Sequence, residues 1–257
     1  MPLPFLNTEE LLSAGATAAL AAAGAAAYAG MSHTSQIFGR CVVAPRHPRQ
    51  IALTYDDGPN DPATPRLLEL LAEQEIRATF FLIGRFARLR PDLVRAIAAA
   101  GHLIGNHTMR HPALLLCSAQ RVRAELREGN AALEDALGAP ISARPIQWFR
   151  PPFGARRPYV LRAARELGLT PVLWNAMGYD WKPTTPEVVA AHVWHGFERN
   201  QRRGRATNVV LHDGGHGGMG QDRNHTVAAT RMLIERWKRH FAERGEPREF
   251  VTPEAWV

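Results

Sequence analysis

The chain has 257 residues, enough for one large α/β domain with a full buried core. Hydrophobic residues make up 46% and charged residues 21%, which excludes a disordered chain and a polytopic membrane protein. Lys and Arg number 31 against 24 Asp and Glu, a net charge of +7 that suits an anionic neighbour (cell-wall polymer, anionic lipid or nucleic acid), although plain solubility is the favoured reading. No basic run is interleaved with aromatics, so no nucleic-acid partner is expected, and Arg202-Arg203-Gly204-Arg205 reads as a solvated loop. Cys41 and Cys117 are too few for a disulfide framework or a cysteine zinc site. Two buried thiols are expected, with a single bridge as the alternative. Any metal must therefore be held by His and carboxylate.

Residues Leu11 to Met31 carry no charge, are dominated by Ala, and match the length of one membrane span of about 20 residues. Glu9 and Glu10 precede them and cations (Arg40, Arg46, Arg49) follow, unlike an ordinary signal peptide. An anchor, an export signal and a soluble Ala-rich helix all remain open, with membrane association through residues 11–31 and an exported or membrane-anchored envelope location favoured over a cytoplasmic one. Residues 1–40 form this N-terminal segment and linker. Residues 41–257 form the main domain, its first elements preceded by a connector at about 32–49.

From there apolar strands alternate with helical patterns, the signature of a parallel α/β sheet or barrel. Gln50–Tyr55 is the first strand, and Thr64-Pro65 is an N-cap and first-turn pair opening a helix over Pro65–Gln74. A buried strand over Ala78–Ile83, a helix over Pro91–Ala100 ended by Gly101, and a short strand over His102–Asn106 follow. Ser118 caps an amphipathic helix running to about Leu137 and closed by Gly138. Then come a strand over Gln147–Arg150, a helix over Pro158–Leu167, and a strand over Thr170–Asn175. Thr185-Pro186 caps a helix to about Phe197; Thr207–Leu211 is a strand, His225–Arg244 a helix, and Glu249–Val251 a last strand. The sum is roughly seven β/α repeats in one domain.

Polar residues close these strands. The first ends in Asp56-Asp57 before Gly58-Pro59; adjacent strand residues face opposite ways, so the two carboxylates share a task only if the strand is ending there. A metal, a proton transfer and a plain Asx turn are the alternatives. The third strand leads into His107 and His111, the fourth ends in Arg150, the fifth precedes Asp180-Trp181, and the sixth ends in His212-Asp213. In barrels of parallel strands the chemistry collects at the C-terminal strand ends. His107 and His111, spaced by three residues, would share one face of a helical turn and, with one carboxylate, make an open three-ligand site; an incidental pair is the alternative. His216 lies in the run Gly214–Gly220, where glycine on both sides gives it no rigid support as a ligand.

In order, Thr54–Pro59, His107–His111, Arg150-Pro151-Pro152-Phe153-Gly154, Asp180-Trp181 and Val210-Leu211-His212 resemble the motifs of the polysaccharide deacetylase family, the NodB-homology domain of family 4 carbohydrate esterases. The resemblance runs from about residue 50 to 252. It departs at Met177, where many members carry an acid, and at Val210, where the motif has Leu. The resemblance implies a distorted (β/α)7-type barrel of parallel strands, a single catalytic domain behind an N-terminal Ala-rich helix. It implies that Asp57, His107 and His111 bind one divalent ion, zinc with Co²⁺ or Ni²⁺ as alternatives, which polarises an acyl carbonyl and lowers the pKa of its water. It makes Asp56 the general base, Arg150 its partner, His212 the general acid and Asp180 the residue that orients it. The Phe153 N–H would bind the oxyanion, and Trp181, Val210 and Leu211 would wall an acetyl pocket. The implied reaction is N-deacetylation of amino sugars in a glycan or glycolipid: peptidoglycan, a chitin-like oligomer or a lipid-linked sugar. An O-acetyl esterase on hemicellulose, a non-sugar amidase and an inactive carbohydrate-binding domain are the competing readings.

Overall fold

A computed structural model describes residues 8–138 and 145–257; residues 1–7 of the N-terminal segment lie outside it. Eight strands form one parallel sheet: β1 (Gln50–Gly58), β2 (Thr79–Leu82), β3 (Leu103–Asn106), β4 (Trp148–Phe149), β5 (Thr170–Pro171), β6 (Ala176–Met177), β7 (Thr207–His212) and β8 (Glu249–Phe250). Their spatial order is β5-β4-β3-β2-β1-β7-β6, and β8 pairs with the first two residues of β1. The sheet curls into the expected distorted barrel, so the C-terminal ends of its strands converge on one rim.

The predicted fifth strand, 170–175, ends at Pro171, and a separate strand, β6, starts at Ala176. The former pairs with β4 and the latter with β7, so the chain crosses from one sheet edge to the other. Between those edges the supposed connector enters the fold. Val42 bridges Val172, its N–H donating to the Pro171 carbonyl and its own carbonyl accepting from Leu173 N–H, both at 2.8 Å. The Asn208 amide ties the same seam together, donating to the carbonyls of Val43 at 3.0 Å and Leu173 at 2.7 Å. Val42 and Val43 are thereby tied into the sheet.

Helices α2 (Ala63–Glu73), α3 (Gly84–Leu89), α4 (Pro91–Ala99), α5 (Ala119–Leu137), α6 (Pro158–Glu166), α7 (Pro186–Arg202) and α8 (Asn224–Glu243) surround the sheet. Their apolar faces pack on the sheet in a core that includes Leu53, Tyr55, Phe80, Phe149, Phe197 and Trp237. Ser118 caps α5 as expected, accepting from Arg121 N–H at 3.2 Å. Thr64 does not cap α2: the helix begins at Ala63, two residues before the expected start, which frees the Thr64 hydroxyl for the site. α7 runs past Phe197 to Arg202 because its polar residues find partners, Glu198 on the Trp194 indole and Arg199 on the Asn175 carbonyl.

The Ala-rich segment is one helix, α1 (Thr8–Met31). Residues 15–28 are exposed, while Ala29 and Gly30 are buried against the domain. Among the described residues no helix is long and apolar enough to cross a membrane, since alanine is only weakly apolar. Both cysteines are free and half-buried, so neither the bridge nor two fully buried thiols is observed.

Candidate active site

β1 solves the problem posed by its adjacent carboxylates with a bulge. Its register against β2 skips from Asp56–Phe81 to Gly58–Leu82, and Asp57 takes φ 71°. Aspartate tolerates that left-handed conformation. Both carboxylates consequently line one cavity instead of facing apart. Gly58 is required behind them, because a Cβ there would collide with the Asp213 carboxylate.

Asp56 is 3% exposed and bonds through Oδ1 to the Arg150 guanidinium at 2.8 Å. Arg150 is wholly buried. It also donates to Thr54 Oγ1 at 2.6 Å and the Val172 carbonyl at 3.3 Å, and lies 4.1 Å over the Phe81 ring. Burial lowers its pKa, and Asp56 opposes that. The pair fixes the orientation of Asp56 Oδ1 and leaves Oδ2 available.

His107 and His111 lie on a loop, correcting the helical turn expected from their spacing. Thr108 and His111 have φ of 68° and 60°. The loop is held by polar groups: Thr108 N–H donates to Asn106 Oδ1 at 2.6 Å, His111 N–H to Thr108 Oγ1 at 2.9 Å, and Arg110 N–H to Glu125 at 2.9 Å. The outcome is still convergence. Asp57 Oδ1 sits 3.5 Å from His107 Nε2 and 3.3 Å from His111 Nε2, and ligand atoms of the three residues lie within 4.8 Å of one another.

The protonation states suit a cation. Against its burial, the neighbouring His107 and His216 side chains hold the Asp57 carboxyl well below the usual range. Burial, reinforced by His107, pulls His111 down to about 3, so its imidazole is neutral. His107 Nδ1–H donates to the Arg150 carbonyl at 2.8 Å, which turns Nε2 toward Asp57. Asp57 Oδ1 is buried without a hydrogen-bond partner. One carboxylate and two imidazoles with an orphaned acceptor among them fit a divalent metal with open positions.

The adjacent strand, β7, places His212 in register with Asp56. Its Nδ1 bonds to Asp180 Oδ1 at 2.8 Å and its N–H to Asp180 Oδ2 at 2.7 Å. Burial disfavours the imidazolium, but the Asp180 carboxylate outweighs it and pushes the pKa up to about 9. Asp180 in turn stays ionised despite burial, through His212 and the Thr226 hydroxyl.

The cavity encloses about 550 Å³ and holds both carboxylates, the three histidines and, on its walls, Phe153, Trp181 and Val210. Phe153 has φ 59° and its ring meets His111 edge-on at 4.8 Å. The Trp181 ring meets His212 edge-on at 5.1 Å. Leu211 is the exception. Alternation along β7 turns it away, into the core beside Gly178, so it walls no pocket.

A family model for polysaccharide deacetylases matches residues 44–172, which include Asp56, Asp57, His107, His111 and Arg150. The chain belongs to the polysaccharide deacetylase family. Within it, a chitooligosaccharide deacetylase of Rhizobium leguminosarum bv. trifolii is 39% identical over 170 residues, covering 65% of this chain and 72% of the relative. A peptidoglycan-N-acetylglucosamine deacetylase of Bacillus cereus is 34% identical over 197 residues, 76% of this chain and 84% of the relative. A solved peptidoglycan N-acetylglucosamine deacetylase, in complex with 4-naphthalen-1-yl-N-oxidanyl-benzamide, superposes with a TM-score of 0.69 at 27% identity, covering 82% of this chain and 89% of that one.

Several residues of this family site were not foreseen. Arg223 and His225, at the start of α8, bond to the Asp180 carbonyl at 3.3 and 2.7 Å and steady the loop that carries it. Asp213 is fully buried behind Gly58, accepts from Thr64 Oγ1 at 2.5 Å, and is pushed up to about 7 by burial. His216 does reach the site, stacking on His111 at 4.6 Å with Nδ1 3.9 Å from Asp57 Oδ2, although it is not part of the triad. Its loop is anchored by Arg85, which donates to the His216 carbonyl, and by Asn60, which accepts from Gly220 N–H at 2.7 Å. The histidine itself was visible in the sequence; these anchors were not.

Proposed function

We propose that this chain is a metal-dependent N-deacetylase that removes acetyl groups from amino sugars of a glycan in the cell envelope. The observation that carries the reading is a three-ligand cluster that shares its cavity with the pairs Asp56–Arg150 and His212–Asp180. The names of the relatives, which act on chitooligosaccharides and peptidoglycan, support the substrate class, and the charge of +7 suits an anionic wall polymer.

Asp57, His107 and His111 would hold the metal, with zinc favoured by the mixed imidazole and carboxylate donors. When bound, it would supply Lewis-acid polarisation of the acyl carbonyl and a more acidic water. Asp56, held at Oδ1 by Arg150, takes a proton from the attacking water. The Phe153 backbone N–H, which makes no hydrogen bond among the described residues, is a donor for the developing oxyanion. His212 gives its Nε2 proton to the departing nitrogen as the C–N bond breaks, and Asp180 holds Nδ1 and supports the charged imidazole. A base and an acid on opposite sides of the scissile bond are what amide hydrolysis needs.

The test is acetate release from N-acetylglucosamine oligomers, abolished by a chelator and restored by Zn²⁺. Absence of release from every acetylated amino sugar by metal-loaded protein rejects the reading, and release from acetylxylan alone moves it to O-deacetylation. The pH profile gives a separate expectation. His212 must be protonated to act as the acid, so kcat holds below its raised pKa and falls as pH rises through about 9. Asp180→Asn removes the charge that raises it, and the alkaline limb should move toward the ordinary imidazole value of 6.5. An unmoved limb in a kcat–pH series takes the acid role away from His212.

A further inference from the structure

The stretch that leaves α1, Gly30 to Ser35, is fastened to the cavity by a buried arginine. Arg156 is 1% exposed, and its guanidinium donates to the carbonyls of Ser32 at 2.8 Å, Ser35 at 2.7 Å and Gly154 at 3.0 Å. Its backbone N–H donates to the Gly30 carbonyl at 3.0 Å. A planar fork satisfied by carbonyls from two segments makes them one rigid body. Glycine lets them approach: a Cβ on Gly154 would lie 2.8 Å from both the His33 ring and the Trp174 ring, and one on Gly30 would lie 2.9 Å from the Arg156 carbonyl.

This clamp brings His33 into the cavity. Its ring stacks on Trp174 with centroids 4.2 Å apart and planes 28° apart, and both residues line the space that holds Asp56 and Asp57. Neither ring nitrogen of His33 has a hydrogen-bond partner among the described residues, and the indole N–H of Trp174 is buried without one. Burial, with help from Arg156 and Arg150, holds His33 down to about 4, so at neutral pH it offers one donor and one acceptor and no charge. Uncharged polar groups beside a stacked aromatic pair suit the hydroxyl and amide groups of a neutral sugar better than a phosphate or carboxylate.

We infer that His33, delivered by the Arg156-clamped segment after α1, is a specificity-determining residue that hydrogen-bonds a hydroxyl or amide of the sugar bearing the acyl group. The inference deepens the N-deacetylase reading and rests on it. It also places part of the substrate cavity upstream of residue 41, so a chain shortened to the expected catalytic domain would lack one wall.

The test compares full-length wild type with His33→Ala, His33→Asn and His33→Phe, using N-acetylglucosamine oligomers. Binding is followed by tryptophan fluorescence, and acetate release gives KM and kcat. For His33→Ala, Kd and KM should rise about tenfold, the equivalent of one buried hydrogen bond, with kcat within about threefold. His33→Asn, which keeps a neutral donor and acceptor, should recover most of the loss, and His33→Phe, which keeps only a stacking ring, should not. Rescue by Phe and not Asn, or an Ala variant indistinguishable from wild type, overturns the inference while leaving the deacetylase reading in place. A wild type that binds the oligomer through His33 but releases no acetate does the reverse. A wild type that neither binds nor cleaves the oligomer removes both.

Discussion

Asp57→Asn is expected to lose its metal on dialysis and to cut acetate release about a thousandfold, the rate equivalent of the several kcal/mol a Lewis acid contributes. Asn is the informative replacement. Asp57 sits at φ 71°, a conformation Asn accepts as readily as Asp, so the β1 bulge survives and only the charge is removed. The loss follows from the site's electrostatics. Asp57 is the one carboxylate in the ligand cluster, its Oδ1 has no protein hydrogen bond to replace, and both imidazoles it faces sit within 3.5 Å. A neutral amide oxygen offers a cation no net charge there. Metal content after dialysis, read by elemental analysis beside the turnover number, checks the prediction. A variant that keeps a full complement of metal shows that the two histidines suffice and removes Asp57 from the triad.

Most of this site was legible because it depends on residue type and order along the strands. Asp56, Asp57, Arg150 and His212 end strands in the sequence and end them in the fold, where the parallel barrel brings those ends to one rim. What escaped depends on backbone geometry and long-range packing. Spacing alone put His107 and His111 on a helical turn, whereas residues at positive φ, pinned by Asn106 and Glu125, place them on a loop. The orientation of Leu211 could have been read from alternation along β7, since its neighbours Val210 and His212 face the cavity. Val42, His33 and Arg156 carried no local signal. Their partners lie more than a hundred residues away, in a seam that exists only after the barrel has closed.

Arg150 and Asp56 should prove to be coupled in stability as well as in turnover. Arg150→Met is expected to cost about 3–5 kcal/mol, because it leaves a buried carboxylate without its ion-pair partner. The same substitution also gives up the bonds to Thr54 and Val172 and the contact with the Phe81 ring. Asp56→Asn should cost less in stability, since the amide oxygen can still accept from the guanidinium. It should keep the metal, as Asp56 is not among the converging ligands, yet lower kcat by about 10²–10⁴-fold, the usual contribution of a general base. Adding Asp56→Asn to Arg150→Met should then restore part of the lost stability, because no unpaired charge remains in the buried site. Urea unfolding of the four members of this cycle measures the coupling directly. Strict additivity would mean that water already screens Asp56, and an Asp56→Asn variant with near wild-type kcat would show that the proton leaves the water by another route.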